Sequence, residues 1–178
     1  MFEKKFDTNG NLSWYKVRLV AKGYSQIPGQ DFNNTYSPVM QLDSLHILIT
    51  LMAIKDLDSG QMDIKGAFLN PYLKEDIYMQ QPKGYEDRTR KVCHLKHVLY
   101  GLQQSACEWN EDFNAYIISL GYKSIPSDPC VYIQQKEEEF DILSIWVDDC
   151  YFACTRGRLA QAKAEIATKY KATDQGEP

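Results

Sequence analysis

The stretch ILSIWVDDCYFAC, residues 142–154, constrains the fold more than any other part of the chain. Two apolar runs flank Asp148-Asp149, the pattern of two buried strands folded back on each other. Tight hairpins ordinarily turn through Asn-Gly or Asp-Gly, because glycine enters the positive-φ region without steric cost. Asp148-Asp149 is a poor turn by that standard, and the adjacent carboxylates repel each other. A solvent-facing turn is the plain reading of a lone Asp-Asp. The apolar flanks favour a compensating charge from outside the local backbone, with a divalent cation as the leading candidate.

The remaining elements fit around that hairpin. Residues 2–22 read as a second hairpin turning at Asn9-Gly10, and Pro28, Gly29 and Pro38 break the segment that follows. Asp43 or Ser44 opens a helix to about Leu57, apolar nearly all round and so expected to be buried. GQMDIKGAFL reads as a strand, with short strands at DIYM and KVCHL. Ser105 and Glu108 have capping-box spacing, and Trp109, Phe113, Ile117 and Leu120 then recur at helical intervals until Gly121. CVYIQQ and FDILSIWV are strands joined by the charged turn KEEE, and a last helix aligns Leu159, Ala162, Ile166 and Tyr170. This order predicts an α+β fold, an antiparallel sheet with helices on one face.

A second acid is out of place. Asp63 sits inside a strand-like stretch, between Met62 and Ile64, where aspartate packs badly. Two such sites in one sheet bring three carboxylates together, each raising the others' pKa unless a cation neutralises them. Mg²⁺ suits a few carboxylates, water and substrate phosphates, and a pair of such ions serves phosphoryl transfer. Strand alternation lets only one of the pair face the cleft squarely, and Asp148 is expected to be that one, with Asp149 mattering less. The charge distribution is compatible with a polyanion: residues 1–40 hold five cations against three acids, within a chain of net charge −4. Ordinary solvated surface charge explains the same counts. Five cysteines without a CxxC pair point to reduced thiols rather than a disulfide framework. Cys93-His94-x-x-His97 lacks a second ligand pair, so a strand is favoured over a zinc site. The longest apolar run, near residues 45–54, is too short to span a membrane, and the N-terminus has no signal-peptide core.

Five stretches occur in a family order: YKVRLVAKGYSQIPGQDFNNTYSPV, QMDIKGAFLNPYLKEDIYMQQPKGY, VCHLKHVLYGLQQSACEW, LGYKSIPSDPCVYI and WVDD. In these the chain resembles the reverse transcriptase of copia-type LTR retrotransposons, a segment of a pol polyprotein. The resemblance implies a right-hand polymerase, with fingers at about 1–58 and 70–100 and palm at about 59–69 and 101–178. Thumb and RNase H are expected to be absent. It implies that Asp63, Asp148 and Asp149 are catalytic and hold two Mg²⁺ ions, with Mn²⁺ as a substitute. Arg18, Lys22, Phe68, Gly101 and Ser105 would bind the nucleotide, Phe68 screening the sugar 2′ position. Lys16 and Gln104 would contact nucleic acid. The partners implied are an RNA or DNA template-primer, deoxynucleoside triphosphates, and the integrase and RNase H segments of an intact element. The location implied is the cytoplasm, in a virus-like particle, or the nucleus.

Several positions depart from the family pattern. Ala106-Cys107 stands where a Pro-Arg or Ala-Arg pair is usual, Gln103 replaces a lysine, His46 an arginine and Trp146 a tyrosine. Cys107, in a first helical turn, is expected to be accessible. The loss of cations makes a truncated, non-catalytic remnant with weak nucleic-acid or protein binding the alternative to a working RNA-directed DNA polymerase.

Overall fold

The computed structural model describes residues 1–176. Ten strands and three α-helices lie among these residues. The first two strands, β1 (Phe2–Phe6) and β2 (Leu12–Val17), form a separate antiparallel hairpin. Its turn is built by Asp7, whose Oδ1 accepts the Asn9 and Asn11 amides at 2.9 and 2.8 Å, with Gly10 at φ 81°. Helix α1 (Leu42–Lys55) then leads into β3 (Asp58–Ile64). Beyond a ribbon made by β4 (Tyr78–Met79) and β5 (Cys93–His94) come helix α2 (Ser105–Ser119), β6 (Lys123–Ile125), β7 (Asp128–Lys136), β8 (Glu139–Trp146) and β9 (Asp149–Cys154). Helix α3 (Leu159–Lys169) and β10 (Ala172–Gly176) follow.

Six strands make one antiparallel sheet in the order β10-β3-β9-β8-β7-β6. The long-range step is β3, which inserts between β9 and β10, one strand in from the sheet edge, and so carries Asp63 alongside β9. One sheet face is closed by helices. Phe113 of α2 packs edge-on against Tyr132 of β7, and Leu159 and Lys163 of α3 lie so close over Gly60 that a Cβ there would collide with the lysine. Met62, Ile64, Cys150 and Phe152 are buried in the same core cluster. The start of α1 is tied to β7 by buried Asp128, whose Oδ2 accepts the Gln41 amide at 2.8 Å while Oδ1 accepts that of Cys130 at 3.0 Å.

Four expectations are corrected here. Helix α1 is not buried all round: Leu48 alone is fully covered, while Leu42, Ile47, Ile49 and Ile54 are 53–74 % exposed. It reaches the core along one stripe, Leu45, Leu48, Leu51 and Met52, and its apolar far side faces outward. The capping box does not form. Ser105 Oγ lies within donating distance of the Leu99 and Leu102 carbonyls, at 2.8 and 2.9 Å, and Glu108 instead pairs with Lys74 at 3.0 Å. The Asp63 strand stops at Ile64, because Gly66 enters the left-handed region at φ 62° and Ala67–Leu69 coil into a 3₁₀ turn. Finally, Cys107 is only 2 % exposed, because the first turn of α2 is an interior turn.

Candidate active site

Asp63 and Asp149 are direct partners across the β3–β9 ladder, so their side chains leave the same sheet face. Strand alternation does not decide between Asp148 and Asp149, because the strand is interrupted there. Trp146 pairs with Asp149, which leaves Val147-Asp148 as a two-residue turn. Asp149 therefore stands beside Asp63, the reverse of the expected facing, and Asp148 projects from the turn next to both. Its carboxyl is held above the usual aspartate range, first by desolvation and then by the charges of Asp149 and Asp63, while Lys16 acts in the opposite direction. Gln61 Nε2 donates to Asp149 Oδ1 at 3.1 Å and orients it.

The turn has no glycine, and its backbone is held from outside. Val147, a β-branched residue, takes φ 57°, a region that costs such side chains roughly 1–2 kcal/mol. Both turn carbonyls are engaged: Trp109 Nε1 donates to Val147 O at 2.6 Å, and the Ile64 amide donates to Asp148 O at 2.8 Å. Trp109 is itself buried between Phe113 and Tyr170, at centroid distances of 5.4 and 5.2 Å. The helical spacing of Trp109 with Phe113, Ile117 and Leu120 does not disclose this role. The available signal is that a buried indole N–H needs an acceptor. Behind the turn, Phe68, Trp109, Ile145 and Val147 help line a pocket of about 220 Å³.

The other expected residues separate into an edge and a framework. On the edge, Lys16 lies near the end of β2 and Arg18 directly follows that strand. The Arg18 guanidinium lies 5.7 Å from the Tyr100 ring, which meets Phe68 edge-on at 5.6 Å. Lys22 is exposed beside them in sequence. Gly101 belongs to the framework: at φ 90° it lets residues 20–23 lie on it, and a Cβ would strike the Ala21 carbonyl. The Ala21 amide donates to Tyr100 O at 2.7 Å, which fixes the approach of the Arg18–Lys22 segment. Gln104 is 1 % exposed, its amide donating to Asp31 O (3.0 Å) and Glu75 Oε2 (3.3 Å) and accepting from Gln26 Nε2 (3.0 Å). Gln103 Nε2 donates to Gly23 O at 3.2 Å, so this position also serves the framework.

The oxygen donors fit a hard divalent cation. Among the described residues no three His, Cys, Asp or Glu side chains form a ready-made metal cluster. Mg²⁺ commonly takes only one or two carboxylates and completes its shell with water and substrate phosphate, which the paired Asp63 and Asp149 with neighbouring Asp148 allow.

The family model described as reverse transcriptase (RNA-dependent DNA polymerase) matches residues 1–177. The chain belongs to the reverse transcriptase family. Relatives place this reverse transcriptase segment with the copia-type elements. It is 38 % identical over 180 residues to the retrovirus-related Pol polyprotein from transposon TNT 1-94 of Nicotiana tabacum, covering 99 % of this chain and 14 % of the relative. Identity to the corresponding polyprotein from transposon RE1 of Arabidopsis thaliana is 36 % over 151 residues, covering 84 % and 10 %. With the transposon Ty1-H Gag-Pol polyprotein of Saccharomyces cerevisiae it is 34 % over 144 residues, covering 76 % and 7 %. The reverse transcriptase segment thus spans a small fraction of each polyprotein. No solved structure matches it. Among the described residues no helix is long and apolar enough to cross a membrane.

Proposed function

We propose that this reverse transcriptase segment catalyses RNA-directed DNA synthesis, extending a primer on an RNA or DNA template with deoxynucleoside triphosphates. The observation that carries the reading is the pairing of Asp63 with Asp149 across adjacent strands, with Asp148 at the turn beside them. Asp63, Asp148 and Asp149 would hold two Mg²⁺ ions, Mn²⁺ substituting. Bound there, the ions would acidify the primer hydroxyl and neutralise the departing pyrophosphate.

This chain's own residues do the positioning. Trp109 and the Ile64 amide fix the turn that presents Asp148. Arg18 offers a planar fork to the triphosphate, and Lys22 adds charge. Lys16, whose charge already reaches Asp148, is suited to a phosphate approaching the aspartates. Phe68, braced by Tyr100, would wall off the sugar 2′ position. Gly101, Gln104 and Ser105 act through the framework that sets these distances. In right-hand terms, residues of about 59–69 and 101–178 make the palm and those of about 1–58 and 70–100 the fingers. The integrase and RNase H segments of a Pol polyprotein are the expected neighbours.

Primer extension on an RNA template with Mg²⁺ or Mn²⁺ tests the reading, using this chain and a chain extended at its C-terminus. Extension by the longer chain, abolished by Asp63→Asn or Asp149→Asn, is the expected result. A folded longer chain that binds template-primer and incorporates nothing would assign this copy to the non-catalytic remnants.

A further inference from the structure

The ribbon of residues 71–98 carries a surface that the aspartate site does not use. Between positions 88 and 97 the sequence holds Arg88, Arg90, Lys91 and Lys96, two histidines and no acid, although the whole chain has net charge −4. These four cations are exposed, as is Lys83. Among the described residues none of the five lies within ion-pair distance of a carboxylate. The nearest acids in sequence are turned into the loop itself. Asp87 Oδ1 accepts from Gln81 Nε2 at 2.8 Å and the Thr89 amide at 2.9 Å, and Glu86 Oε2 accepts the Gly84 amide at 2.7 Å. Asp76 of the same ribbon is exposed and pairs with His94 at 3.1 Å, while the five cations themselves face solvent.

The same ribbon displays aromatic faces. Tyr78 and His94 stand opposite each other in the β4–β5 ladder and stack at 4.7 Å and 18°, and Tyr72 and His97 meet at 4.2 Å and 33°. Tyr72 is 73 % exposed and Tyr78 61 %. Each histidine packs against its tyrosine, and both tyrosines stay largely exposed. The platform is tied to the body of the protein. Ile77 and Val98 are buried beneath it, and Lys74 anchors it to Glu108 and Glu111 of α2 at 3.0 and 2.5 Å.

We infer that this ribbon is a second nucleic-acid contact, outside the aspartate face, that binds an unpaired strand with little sequence preference. Unneutralised cations track a phosphate backbone, and exposed aromatic faces stack bases of any identity. An acidic protein segment would use the cations but would have no need of paired, exposed tyrosine rings. The inference rests on the ribbon's own surface, so it can fail while the polymerase reading stands.

The test is fluorescence anisotropy of a labelled single-stranded RNA of about 15 nucleotides, in EDTA so that metal-dependent binding at the aspartates is suppressed. Charge reversal of Arg88, Arg90 and Lys91 to glutamate should weaken binding by about tenfold or more. It should also make the log–log salt dependence shallower by about 2, at roughly 0.7 per lost phosphate contact. Tyr78→Ala should weaken RNA binding by about fivefold or more while leaving an abasic strand of equal length unaffected, and Tyr78→Phe should restore RNA binding. Circular dichroism confirms that each variant is folded. Unchanged affinity and salt slope in the charge-reversal variant would overturn the inference. Equal loss of RNA and abasic strand in Tyr78→Ala, or equal competition by polyglutamate and RNA, would also overturn it.

Discussion

Replacing Trp109 with phenylalanine isolates the contact that holds the Val147-Asp148 turn. Two losses add. The indole N–H to Val147 O bond, 2.6 Å long, disappears. Val147 is 39 % exposed, so water can partly replace the donor, and the loss belongs near the low end of the range for an unmatched carbonyl, about 1 kcal/mol. Trp109 is 3 % exposed, so shrinking its ring leaves a void in the cluster with Phe113 and Tyr170, costing about 1–2 kcal/mol more in transfer and cavity terms. The sum, about 2–3 kcal/mol, should lower the melting temperature by roughly 4–12 °C for a chain of this size. Phe113→Leu is the control: Phe113 is fully buried in the same cluster and touches no turn carbonyl. Urea unfolding gives the energies, and hydrogen exchange of the Ile64 amide, which donates to Asp148 O, reports the turn directly. Exchange at Ile64 should accelerate more in Trp109→Phe than in Phe113→Leu at matched global stability. Equal exchange in the two variants, or a loss below about 0.5 kcal/mol, would refute the assignment of Trp109 as the brace of the turn.

Three further outcomes follow from the same geometry. Asp148 has a raised pKa in the folded chain, so its charged form is disfavoured there and stability falls as pH rises from the unfolded value, about 3.9, through the folded one. Asp148→Asn should therefore melt above the parent at pH 7 without metal, lose that advantage near pH 3, and gain less stability from Mn²⁺; a lower melting temperature at pH 7 would contradict this. Cys107→Arg forces a longer, charged side chain into a site 2 % exposed, and should cost about 1–3 kcal/mol despite nearby Glu111. An unchanged melting curve with tighter nucleic-acid binding would show that the first turn of α2 opens. Phe68→Ala, in a chain extended to activity, should admit ribonucleoside triphosphates that the parent rejects. Unchanged sugar selectivity in a folded variant would make Phe68 a packing residue only.

The sequence by itself determined most of the strands, most helix limits and the acids. Alternation around Met62-Asp63-Ile64 and the apolar flanks of Asp148-Asp149 are local signals, because side-chain period and turn chemistry act over a few residues. The strands β6 and β10 escaped that reading, being a three-residue strand and a polar five-residue strand at the two sheet edges. Tertiary structure alone decided what depends on partners distant in the chain. The register of β3 on β9 set Asp149, rather than Asp148, beside Asp63. A turn whose geometry local residues disfavour was made possible by Trp109, thirty-eight positions away. The apolar far side of α1 and the buried start of α2 reversed two expectations of exposure, because a helix's own pattern gives its possible faces and only its neighbours decide which are covered.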